Sequence, residues 1–244
     1  MLLQLTGVNK RFGAVVAADD VTMHVEKGEA LGIIGANGAG KSSLFNLCTG
    51  VLKADSGEIK FHGHDVTRAS VRERCREGMG RSFQIPKPFE SLTVFENLLT
   101  AAEFGCKDDR RSIGETARIL EITGLADKAN TEAGKLTLLN RKRLELARAL
   151  ATTPDLLLLD EIAGGLTEGE CHELVELIKD LNAQGVTIVW IEHIVHALLS
   201  VVSRLIVLER GKIIAQGEPK AVMNDPEVKR SYLGIDDDMD EEVA

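Results

Sequence analysis

No apolar run in this chain approaches the roughly 20 residues needed to span a bilayer, so no membrane-crossing helix is expected. The opening Met-Leu-Leu-Gln-Leu-Thr has neither a basic segment nor a long apolar stretch, so no secretory signal is expected either. Cysteine is scarce. Cys48, Cys75, Cys106 and Cys171 are scattered and never take C-x-x-C spacing. That argues against a disulfide framework or a zinc site and fits reduced cytoplasmic thiols. Basic residues are outnumbered, 29 Lys and Arg against 38 Asp and Glu, so no nucleic-acid partner is expected. The net charge of −9 is concentrated at one end, because six of the last nine residues are acidic. Residues 235–244 are therefore expected to form a solvated, disordered tail. No internal repeat and no low-complexity segment precedes it. What is present is a chain of 244 residues, 44% hydrophobic, which is enough to build a substantial core.

Residues Gly35 to Ser42 read Gly-Ala-Asn-Gly-Ala-Gly-Lys-Ser and match the phosphate-binding pattern G-x-x-x-x-G-K-[ST] in full. A short apolar run, Leu31 to Ile34, precedes it, and a stretch able to be helical, Ser43 to Cys48, follows. Glycines let backbone N–H groups curl around phosphate oxygens, and the helix N-terminus adds partial positive charge. Gly35, Asn37, Gly38, Ala39, Gly40, Lys41, Ser42 and Ser43 are thus candidate nucleotide contacts. Lys41 is expected to reach the β- and γ-phosphates, and the Ser42 hydroxyl to ligate Mg²⁺.

Short strands are expected at Leu3–Leu5, Ala14–Ala17, Val21–Val25 and Glu58–Phe61. Ser70 with Glu73, Thr93 with Glu96, and Thr167 with Glu170 are capping boxes, and Asp225-Pro226 is a further helix start. From about Pro86 to Leu150 the periodicity is helical. The runs Leu156–Leu159 and Val186–Ile191 are continuous and apolar, like strands buried on both faces of a parallel sheet. A hairpin closes at Arg210-Gly211. Arg68, Arg72, Arg74 and Arg76 share one short helix and are expected on a solvated face. His62-Gly63-His64 is expected to be a surface turn, and Trp190 to pack in the core.

The run Leu156–Leu159 ends in Asp160-Glu161, the form of a Walker B strand. Asp160 at such an edge can hold Mg²⁺, and Glu161 can polarise an attacking water as general base.

With these elements in place, residues 1–234 resemble the nucleotide-binding subunits of ABC transporters. The resemblance implies roles for further residues. Phe12, in Lys-Arg-Phe-Gly, matches the aromatic that stacks on adenine. Gln84, in Arg-Ser-Phe-Gln, matches the glutamine that reaches Mg²⁺ and water and faces the membrane subunit. His193, in Ile-Glu-His, matches the switch histidine that contacts the γ-phosphate. Leu136 to Leu150 aligns with the signature segment and its helix, so Thr137 would contact the ATP of an opposing subunit. The segment Phe83 to Leu98 resembles the ATP-binding subunits of branched-chain amino acid importers, and so does Asp225 to Gly234. The latter ending is shared with the lipopolysaccharide-export ATPase, so an export system is the alternative.

The chain departs from the family at Leu138 and Leu139, where the usual Leu-Ser-Gly-Gly-Gln has two glycines. Ile162 and Thr167 also replace the usual proline and aspartate after Walker B. An intact Walker set with an altered signature favours a heterodimer with a second ATP-binding subunit, in which a weakly hydrolysing role is the other alternative; a homodimer remains possible. The resemblance further implies transmembrane permease subunits as partners, an extracytoplasmic solute-binding protein acting indirectly, and a peripheral place on the cytoplasmic face of the inner membrane. The fold expected is α/β: a P-loop NTPase core with a mostly parallel sheet, an N-terminal antiparallel β lobe and an inserted α-helical lobe. Its single ATP-binding domain would take core and β lobe from 1–85 and 151–234, and the helical lobe from about 86–150.

Overall fold

Two sheets share one buried layer in the computed structural model, which describes residues 1–105 and 112–230. Cys106, residues 231–234 and the acidic tail lie outside the described residues. In chain order the strands are β1 (Leu3–Phe12), β2 (Val15–Val25), β3 (Ala30–Ile34), β4 (Ser56–Phe61), β5 (His64–Asp65), β6 (Met79–Arg81), β7 (Leu156–Asp160), β8 (Thr187–Ile191), β9 (Arg204–Glu209) and β10 (Lys212–Gly217). The helices are α1 (Lys41–Thr49), α2 (Val71–Arg76), α3 (Val94–Gly105), α4 (Ser112–Ile122), α5 (Leu138–Ala151), α6 (Glu168–Ala183), α7 (Val195–Leu199), α8 (Pro219–Met223) and α9 (Pro226–Val228).

One sheet is antiparallel, in the order β2-β1-β4-β5. The other runs β10-β9-β3-β8-β7-β6 and is parallel except for the β9–β10 hairpin. The apolar runs explain why the parallel sheet is central. Leu156 and Leu158 face the core beneath the antiparallel sheet, together with Leu3, Leu5 and Phe61. Leu157 and Leu159 face the opposite core, with Leu98, Leu146 and Leu174 from the helices. All four leucines are fully buried, at about 2 kcal/mol each for transfer from water. The same alternation divides Val189 and Ile191 from Ile188 and Trp190. Trp190 is core, as expected.

All three capping boxes form. Asp225 caps α9 with Pro226 in its first turn. Two expectations, on β2 and on Arg74, are corrected. The segments Ala14–Ala17 and Val21–Val25 belong to one strand, β2, which stays paired to β1 through register shifts near Asp20. The three-residue β6 was not anticipated, because Met-Gly-Arg is too short to show alternation. Arg74 is not solvated. Only 1% exposed, it donates to the carbonyls of Leu47, Cys48, Thr67 and Ala69. His62 lies in an exposed turn, as expected, and its ring meets Asp155 at 3.0 Å.

Candidate functional site: a nucleotide cleft at the strand ends

Four parallel strands deliver their carboxyl ends to one edge, the usual place for a ligand in such sheets. β3 ends at Ile34 and enters the glycine loop. β6 ends at Arg81, three residues before Gln84. β7 ends at Asp160 and β8 at Ile191, followed by Glu192 and His193. The glycine loop, Gln84, Asp160, Glu161 and His193 therefore converge although they lie as much as 158 positions apart, from Gly35 to His193.

The glycine loop is shaped by close approaches. A Cβ on Gly35 would run into the Leu208 carbonyl oxygen, and one on Gly40 into that of Ala17. Gly40 is also left-handed, at φ 106°, and no side chain caps α1 after it. The start of α1 is thus open to an anion. Lys41 is 5% exposed, and its ammonium donates to the Gly35 and Ala36 carbonyls at 2.7 and 3.1 Å. Burial pulls its pKa below the ordinary lysine value, while Glu161 and Asp160 oppose the shift. A cleft of about 310 Å³ is lined by Phe12, Asn37 to Ser43 and Glu161. Phe12, half exposed, forms its apolar wall beside Val15 and Val16.

Glu161 has a left-handed backbone, φ 47°, an uncommon conformation for a residue with a side chain. Its two carboxylate oxygens are separately engaged. Oε1 meets His193 Nε2 at 2.8 Å, and Oε2 accepts from Gln84 Nε2 at 2.5 Å. Asp160 is 6% exposed, and its Oδ2 accepts from Arg81 Nη2 at 2.7 Å. Arg81 also donates to Asn46 Oδ1 on α1 at 2.6 Å and lies against the faces of Phe45 and Phe83. Thr137 stands apart from the cleft lining and caps α5, its hydroxyl accepting from the Asn140 amide at 3.4 Å. Leu138 and Leu139 form the first turn of α5 with no left-handed backbone, so no glycine is required there.

Three residues that sequence reasoning gave no role hold this arrangement. Arg81 anchors Asp160. Glu192, 1% exposed, accepts from the amides of Ala163 at 3.1 Å and His193 at 2.9 Å, fixing the chain on either side of the cluster. Lys142, 3% exposed, donates to the carbonyl of Gln84 at 2.6 Å. Two carried a local signal. Arg81 sits in the same Arg-Ser-Phe-Gln as Gln84, and Glu192 adjoins His193.

A glycine loop between a buried strand and a helix, with an Asp-Glu pair at the neighbouring strand end, defines a P-loop nucleotide-binding protein. The ABC transporter family model matches residues 18–164, and the model described as branched-chain amino acid ATP-binding cassette transporter matches residues 212–238. The chain belongs to the ABC transporter family, as one of its ATP-binding, ATP-hydrolysing subunits. It is 34% identical to the probable branched-chain amino acid transport ATP-binding protein LivG of Methanocaldococcus jannaschii, over 96% of this chain and 97% of that protein. It is 36% identical to the high-affinity branched-chain amino acid transport ATP-binding protein LivG of Escherichia coli, over 96% of this chain and 98% of that one. A nucleotide-free ATP-binding cassette from an ABC transporter superposes with TM-score 0.87 at 33% identity, covering 96% of this chain and 99% of that one. An ATP-binding cassette of an ABC transporter in its ADP conformation gives TM-score 0.87 at 34% identity, with the same coverage. Subunits of this family work with transmembrane permease components and are membrane-associated; among the described residues no helix is long and apolar enough to cross a membrane itself.

Proposed function

We propose that this chain hydrolyses ATP to drive uptake of branched-chain amino acids or closely related small solutes. The observation that carries the hydrolytic reading is the Gln84–Glu161–His193 cluster beside the glycine-loop cleft. The solute class is supported by the names of the relatives and by the match over residues 212–238.

In this reading Phe12 stacks on the base, and the loop Gly35 to Ser43 cradles the phosphates. Lys41 leaves the loop carbonyls and turns its charge to the β- and γ-phosphates. Glu161 takes the proton of the attacking water, and His193, on the same carboxylate, contacts the γ-phosphate. Ser42, Asp160 and Gln84 offer a hydroxyl, a carboxylate and an amide oxygen, a hard-oxygen donor set suited to Mg²⁺. With Gln84 Nε2 donating to Glu161, the side-chain Oε1 is left for such a role. When bound, Mg²⁺ supplies positive charge against the β- and γ-phosphate oxygens. Residues 1–234 act as one ATP-binding domain with a helical lobe over about 86–150, peripheral to the cytoplasmic face of the inner membrane.

The working unit we propose is a heterodimer. This chain's ATP is completed by the signature of a second ATP-binding subunit, while Thr137 and the Leu138-Leu139 turn face that subunit's ATP. An extracytoplasmic binding protein delivers the solute to the permease. The test is ATP turnover of the chain alone and of the assembled transporter in vesicles, each with Glu161→Gln. A loss of about 10² or more with nucleotide binding retained is expected. Undiminished turnover in the variant refutes the assignment of Glu161. ATP-driven uptake of another solute class without leucine, isoleucine or valine refutes the solute, and full turnover by the chain alone refutes the heterodimer.

A further inference from the structure

Phe83, Gln84, Ile85 and Lys87 have exposed side chains, yet their segment is tethered in its backbone. Phe83 and Ile85 are 48% and 67% exposed, so this segment has little side-chain burial to hold it. What holds it is one charged face of α5. Lys142 donates to the Gln84 carbonyl at 2.6 Å. Glu145, 5% exposed, has the backbone amides of Phe83 and Lys87 near enough to favour its charged form. Arg148 donates to the Lys87 carbonyl at 2.9 Å and to Glu145 at 3.1 Å. The three residues recur at i, i+3 and i+6, so they stand on one side of the helix.

Lys142 is the member nearest the hydrolytic cluster. Its ammonium is removed from water, which costs several kcal/mol unless charges and carbonyls replace the solvent. Glu192, Glu161 and Glu145 are the carboxylates that face it, and burial nevertheless lowers its pKa. The bond to Gln84 is short and charge-assisted. A second approach, to the Glu161 carbonyl at 3.4 Å, is long and weak. A lysine that merely neutralised acidic neighbours would not need the Gln84 carbonyl. One that grips it fixes where the Gln84 side chain begins, and that side chain ends on Glu161 Oε2.

We propose that Lys142 is a positioning residue for hydrolysis, holding the Gln84 backbone so that its amide stays on the Glu161 carboxylate. Because Lys142 lies one turn after Thr137 and Leu138, it also makes α5 a rigid link between this chain's own cluster and the turn that faces a partner's nucleotide. This rests on the roles of Glu161 and Gln84 proposed above.

The test is a double-mutant cycle of Lys142→Met and Gln84→Ala in the assembled transporter, reading kcat and KM for ATP. Lys142→Met alone is expected to lower kcat about tenfold or more, with KM within about threefold. On Gln84→Ala, which already lacks the positioned group, the same change is expected to cost less than about threefold. An equal loss in both backgrounds, a loss carried by KM, or no loss overturns the proposal. Where Lys142→Met does not fold, Lys142→Gln, neutral and one atom shorter, goes through the same cycle under the same criteria. Glu161→Gln runs in parallel. If it retains turnover, the underlying site assignment fails; if it is dead while Lys142→Met turns over like the unaltered chain, only the positioning role fails.

Discussion

Replacing Arg74 by methionine should unfold this protein far more readily than a change on a short surface helix would. The guanidinium spans four carbonyls. Those of Leu47 and Cys48, both at 2.7 Å, lie in the last turn of α1 and are buried; those of Thr67 and Ala69, at 3.0 and 3.2 Å, are partly so. Methionine keeps most of the aliphatic stem but donates nothing. The two buried carbonyls then lose a charged donor with no water to replace it, Leu47 keeping only the long 3.3 Å bond from the Gly50 N–H, at about 1–2 kcal/mol each. The partly buried pair recovers some hydration, and the favourable charge at the carboxyl end of α1 is lost as well, about 0.5 kcal/mol more. The sum is about 3–4 kcal/mol, or a fall in Tm of roughly 10 °C for a chain of this size. Trp190, the sole tryptophan and fully buried, supplies the signal for urea and thermal unfolding. Arg74→Lys, with one ammonium in place of a five-donor fork, should recover only part of the loss. A loss below about 1 kcal/mol for Arg74→Met would refute the reasoning, because the four bonds would then be worth no more than an exposed pair.

Gly40→Ala places a methyl against the Ala17 carbonyl in a left-handed backbone, whereas Gly38→Ala, also left-handed at φ 82°, meets nothing within 4 Å. In nucleotide-free protein Gly40→Ala should cost about 3 kcal/mol or more and Gly38→Ala about 1 kcal/mol; equal losses would mean that strain, not contact, governs the loop. Burial pushes the Cys48 thiol from 9.0 up to about 12. A raised acid pKa means that the folded state keeps a proton the unfolded chain gives up. Stability is therefore full below pH 9 and falls between pH 9 and about 12, by about 1.4 kcal/mol per unit at most. Cys48→Ala should flatten that alkaline slope in urea midpoints, and an unchanged slope would assign it to other groups.

Most of what positions the cleft was legible because it is local. The glycine loop, the Asp160-Glu161 step and the capping boxes are each contained within a few residues, so type and spacing reveal them. The two-faced burial of Leu156–Leu159 is legible for the same reason. The missed charged contacts are those in which a side chain answers a partner distant in sequence. Arg74 reaches carbonyls 26 and 27 positions away, Lys142 one 58 positions away, and Arg81 a carboxylate 79 positions away. Residue type misleads in such cases, since a run of arginines on a short helix looks solvated until the carbonyls it covers are known.

The same logic bears on Leu138 and Leu139. Judged against a glycine-bearing signature they look disabling, because leucine resists a left-handed backbone. In this chain they occupy the first helical turn of α5 behind the Thr137 cap, where leucine is an unstrained residue. The departure is therefore one of bulk at the surface, Leu138 being 45% exposed, and not of backbone conformation. An opposing nucleotide would still meet the amino end of a helix, now with an apolar rim. That places any asymmetry between two sites in how closely the phosphates approach α5, while Lys142, from the next turn of the same helix, keeps this chain's own Gln84 and Glu161 in register.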